Sequence, residues 1–240
     1  MIPIFKTHYS IGKSILTLEE SSEKDGPDSV FEICKEFDIK ELYLVEDSMS
    51  GFLKAYEGAK KESLDLRFGL RLKCQNNENS EHKIVIFALN SNGCEDLNKI
   101  SSDVNIKFKS VANYEYLKSV WTKNLQLVIP YYDSFLYQNL FTFSCCVPDF
   151  SFTQPIFIQE NNGLPFEKFY SKELLNFQNE YEIIKAKSIY YKNKEDFCAW
   201  QTFKCMHRKG FKSATLEKPE MPHCCSNRFC IEAWNEEKNT

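Results

Sequence analysis

Two adjacent carboxylates, Glu46 and Asp47, close a short apolar run at residues 42–45, and Gly51 follows in a turn. In α/β proteins ligands gather at the carboxyl ends of buried strands, so paired acids in that position are candidates for a metal site. Arg71 lies just inside the end of the next apolar run, at residues 68–72, and so shares that end. A purely electrostatic role competes with the metal: the two acids precede a helical pattern, whose amino-terminal dipole favours negative charge. A second constellation lies near the carboxyl end of the chain. Cys205, His207, His223 and Cys224, with Cys225 and Cys230 close by, contain the residue types of a zinc site. No CxxC pair occurs among them, so their spacing differs from the common structural knuckles, and unligated thiols are the competing reading.

The elements that must position these groups can be read from hydrophobic patterning. Strands are predicted at residues 2–5, 42–45, 68–72, 84–89, 125–129, 156–158 and 183–189, mostly as short runs apolar on both faces, the mark of buried parallel strands. Ser29 and Glu32 have the spacing of a capping box, ahead of a helix with Val30, Cys34 and Phe37 on one face. The helix after Gly51 places Phe52, Ala55, Tyr56 and Ala59 on its inner stripe. Further helices are predicted at 96–100, 114–120, 166–178 and 228–237, with polar loops at 19–27 and around Pro219 and Pro222. Residues 131–155 are aromatic-rich and interrupted by Pro148 and Pro155, and give no clear element. Strands alternating with helices predict a mainly parallel sheet, open or closed into a barrel, in one domain over residues 1–240.

Composition narrows the function classes. Hydrophobic residues make up 42% of the 240 and aromatics 15%, enough for a large core and too much for wholesale disorder. A net charge of −4 argues against a surface built to grip phosphate backbones and favours protein partners. No apolar run approaches the roughly 18 residues of a membrane span, and the opening MIPIFKTHYS has neither the basic nor the apolar region of a secretory signal. A cytoplasmic protein with reduced thiols is therefore expected of its ten cysteines. The Lys-, Asn-, Ile- and Phe-rich usage fits an AT-rich genome, such as that of a phage in its host cytoplasm.

The order of four stretches resembles the PHP domain that opens the alpha subunit of bacterial DNA polymerase III, the C-family replicative polymerase. FKTHYSIGKSILT (5–17) is similar to that family's opening motif, with Tyr9 and Ser10 on its Tyr-Ser. LYLVEDSMSGFLKAYEGAKKESLDLRFGLRL (42–72) resembles the segment that carries an Asp-His pair and a later glutamate. HKIVIFALNSNGCEDLNKISS (82–102) is similar to its strand-then-helix stretch, and IIKAKSIYYKNKEDFCAWQTFKCMHRKG (183–210) to its late motif, with Tyr191, Glu195, Asp196 and Gly210 in place. The likeness covers nearly the whole chain and is weakest over residues 105–155.

That resemblance implies a distorted (β/α)7 barrel whose strand ends, in active members, hold up to three divalent metals for phosphoester hydrolysis. It also implies that this chain has lost the ligands. Ile4 and Lys6 stand at the opening histidine pair, Lys13 at that motif's aspartate, Glu46 and Asp47 at the Asp-His pair, and Arg71 at the glutamate. Asn162 stands at a histidine, Ser188 and Tyr190 at the late Asp and His, and His8 lies beside the opening motif at a position that is usually acidic. Fixed cations at Lys6, Lys13 and Arg71 oppose a metal, so ion pairs from Glu46 or Asp47 to Lys6 or Arg71 are expected in its place. The function implied is a non-catalytic scaffold of DNA replication, without cofactor, holding a polymerase, an exonuclease or a clamp-related subunit. The alternative is a metal-dependent phosphoesterase or 3'-5' exonuclease with a reduced site at His8, Glu46 and Asp47, using Mn, Mg or Zn.

Overall fold

The computed structural model describes residues 1–20, 26–76, 80–207 and 226–238. Seven strands close on themselves: β1 (Ile2–Phe5), β2 (Glu41–Glu46), β3 (Asp65–Gln75), β4 (Glu81–Ala88), β6 (Leu125–Ile129), β7 (Ile156–Gln159) and β8 (Glu182–Ile189). Around the ring the order is β2-β1-β8-β7-β6-β4-β3, and β3 pairs back onto β2 to complete the barrel. An eighth strand, β5 (Val111–Asn113), extends the sheet outside the ring along the far end of β3. The pairing is parallel except at β4, which runs antiparallel to both β3 and β6.

The sequence pattern explains the closure. Buried strands such as β2 and β4 are apolar on alternate residues of both faces, because one face fills the barrel and the other packs on helices. The interior layer includes Ile4, Val45, Val85, Phe87 and Ile158. Leu42, Leu44, Phe5, Ile84 and Ile86 are also fully buried, on the alternate positions that meet the outer helices.

Those helices are α1 (Val30–Glu36), α2 (Phe52–Lys61), α3 (Ser91–Lys107), α4 (Tyr114–Val120), α5 (Phe135–Phe141), α6 (Glu167–Leu174), α7 (Phe197–Met206) and α8 (Ile231–Lys238). Close packing sets one of them tightly: a Cβ on Gly58 of α2 would lie 2.2 Å from the Phe31 ring of α1. None of the helices among the described residues is long and apolar enough to cross a membrane.

Several local expectations are corrected. Ser29 precedes α1 in extended conformation but makes no side-chain cap bond, so the capping box is absent; the Ser29 hydroxyl is buried instead. The helix expected at 96–100 is α3, 17 residues long, and starts where the Asn90 side chain accepts from Gly93 N. Tyr56 is half exposed while Ala55 and Ala59 carry the buried stripe of α2, since the cleft between α2 and α3 is uncovered there. The unreadable stretch holds α5, capped by Ser134 accepting from Tyr137 N. The last helix begins at Ile231, three residues later than its pattern suggested.

Candidate functional site at the carboxyl end of the barrel

The carboxyl ends of the parallel strands bring together most of the residues that the sequence singled out. A cavity of about 40 Å³ there is lined by Lys6, Arg71, Tyr132, Glu160, Ser188 and Tyr190, with Ile4 and other apolar residues beneath. Register explains the convergence. The β1–β8 pairs end at Phe5 and Ile189 and the β2–β3 pairs at Glu46 and Leu70, so Lys6 and Tyr190 stand just beyond the first ladder and Asp47 and Arg71 just beyond the second. Arg71 is not near the end of its own strand, because β3 continues to Gln75 in its hairpin with β4.

Ion pairs occupy this end. Lys6 Nζ donates to Asp47 Oδ1 at 2.9 Å. Arg71 Nη2 donates to Asp133 Oδ2 at 2.7 Å. Burial pulls the Lys6 ammonium down to about 8, against the pull of Asp47, so it is still protonated at neutral pH. Burial alone would raise Asp47, but the charges of Lys6 and Arg71 overcome it and hold the carboxyl well below the usual range. The expected pairing thus forms between Lys6 and Asp47, while Arg71 takes a partner from the loop after β6. Asp133 sits there with φ of 61°, a left-handed conformation that Asp tolerates better than most residues.

Glu46 departs from the expectation. Among the described residues no cation lies within salt-bridge distance of it: its Oε1 accepts from Thr7 N at 2.9 Å and Thr7 Oγ1 at 2.6 Å, and its Oε2 accepts from Ser10 Oγ. Side chains alternate along a strand, so Asp47 follows Val45 toward the interior and Glu46 turns to the other face. Burial raises the Glu46 carboxyl above its ordinary value despite these donors and the nearby Lys6.

A second buried carboxylate, Glu160, escaped the sequence reading, as did Asp133, Tyr132 and Lys83. Glu160 Oε2 accepts from Ser188 N and Asn162 Nδ2, both at 3.0 Å, and Oε1 accepts from Ser188 Oγ at 2.8 Å. Asn162 also donates to Tyr132 Oη at 2.8 Å, and Tyr132 donates to Glu167 Oε1 at 2.5 Å. Burial lifts the Glu160 carboxyl. The strand-end rule that flagged Glu46 and Asp47 would have flagged Glu160, which follows the predicted strand at 156–158. Asp133 and Tyr132 lie in the stretch with no readable pattern.

Apart from Tyr190, which lines the cavity, the other sequence candidates lie elsewhere. His8 is exposed, with its ring 4.4 Å from that of Tyr9, so it does not join Glu46 and Asp47 in a reduced site. Lys13 is exposed, and its carbonyl accepts from Trp200 Nε1 at 2.8 Å. Tyr190 is buried between the Trp200 and Phe229 rings, at centroid distances of 5.6 and 5.7 Å. For the zinc constellation, Cys205 belongs to α7 and His207 follows it, with His207 Nδ1 3.0 Å from Phe203 O. Two residues apart on one helix, their side chains do not face each other. His223, Cys224 and Cys225 lie outside the described residues, and Cys230 is buried.

The divalent metals implied by the resemblance do not fit the strand-end residues. Asp47 and Asp133 are engaged by Lys6 and Arg71, and two fixed positive charges stand where cations would have to enter. Among the described residues no three His, Cys, Asp or Glu side chains converge as a metal-holding group. Comparison of the chain with protein-family models and with curated proteins returns no match.

Proposed function

We propose that this protein is a non-catalytic barrel of the PHP type, in the distorted (β/α)7 arrangement, and serves as a protein-binding scaffold in DNA replication. The observation that carries the loss of catalysis is the pair of salt bridges, Lys6–Asp47 and Arg71–Asp133, across the strand ends. They leave a cavity of about 40 Å³, whereas sites for small substrates usually offer roughly 300–1,000 Å³. Asp47 and Asp133 are held by buried cations, and Glu46 and Glu160 accept from neutral donors, so these acids are poorly placed as metal ligands or as a general base. Support for the replication role is the order of the four motifs along the chain, and the net charge of −4 favours a protein partner over bare DNA. A polymerase, exonuclease or clamp-related subunit in the cytoplasm is the partner class.

Two measurements test the reading. Elemental analysis of protein purified without chelator should find no stoichiometric Mn, Mg or Zn. A manganese-supplemented phosphatase and single-strand exonuclease assay should show no turnover above that of Asp47→Ala. Near one equivalent of metal, with hydrolysis abolished by Asp47→Ala, would establish the phosphoesterase instead. Co-purification from the native host should return a replication protein; recovery of the chain alone would remove the scaffold role.

A further inference from the structure

We draw no further inference here: the strongest candidate, the apolar cleft of about 600 Å³ between α2 and α3 with Leu66, Phe68 and Ala88 in its lining, carries nothing, because its cations Lys60 and Arg67 are offset by Asp65 and Glu41 and nothing in the structure shows what covers it.

Discussion

Replacing Asp47 with Asn exposes how the barrel tolerates a buried cation. Lys6 is 3% exposed and keeps its proton largely through Asp47, which holds it near 8 against burial. An unfolded lysine titrates near 10.4, so the folded protein binds the Lys6 proton less tightly than the unfolded chain does. Stability from this group is lowest and constant below pH 8, and rises with pH between about 8 and 10.4 as the unfolded chain alone retains the proton. In Asp47→Asn the folded pKa of Lys6 falls further, so the rise begins at lower pH. The variant then falls behind wild type by about 1.4 kcal/mol for each pH unit below 8, until its own Lys6 pKa is reached. That is a deficit of about 2 kcal/mol at pH 6.5, vanishing by pH 9.5 apart from a constant offset. Urea denaturation at pH 6.5, 8 and 9.5, extrapolated linearly to water, measures it. Lys83 also lies in the field of Asp47 and contributes in the same direction, so the comparison is repeated in Lys6→Met. There the pH-dependent part should shrink by more than half, and Lys6→Met/Asp47→Asn should be no less stable than Asp47→Asn, as for buried ion pairs exchanged for apolar groups. A deficit that is the same at pH 6.5 and 9.5, or that survives at full size without Lys6, would refute the assignment of this pair as the electrostatic centre of the barrel end.

Two further outcomes follow from buried groups away from that centre. Burial holds the His82 imidazole down to about 4, with its Nε2 2.7 Å from Tyr114 Oη. Because the unfolded chain takes up this proton first, stability is full above about pH 6.5 and declines toward pH 4; the loss by pH 5 is about 2 kcal/mol in denaturant titrations and disappears in His82→Gln. Gly58→Ala should destabilise by about 1–3 kcal/mol in the same titrations, although alanine gains about 1 kcal/mol of helix propensity, since its Cβ would overlap the Phe31 ring. Relief of that loss in Phe31→Leu would attribute it to the contact; a stabilised Gly58→Ala would contradict the packing.

The sequence alone located the barrel strands and the end at which chemistry could occur. Short runs apolar on both faces, such as 42–45 and 125–129, can be satisfied only by burial on two sides, and alternation with helices makes their sheet mainly parallel. Closure was left open by that pattern, because local periodicity does not say whether the first and last strands meet. The β1–β8 pairing, which joins the first and last strands, and the antiparallel insertion of β4 between β3 and β6 are decided by register across the ring. The site divides in the same way. Strand-end position marked Glu46, Asp47 and Arg71, but a one-residue step on a strand reverses the face, so only the fold sends Asp47 to Lys6 and Glu46 to Thr7 and Ser10. Arg71 finds Asp133 some 62 residues away, in a stretch where aromatic packing and a left-handed turn erase any periodic signal. The residues that could carry charge were legible one by one; which charges meet was set by tertiary contact, because Coulomb and hydrogen-bond energies depend on distances that linear spacing does not contain.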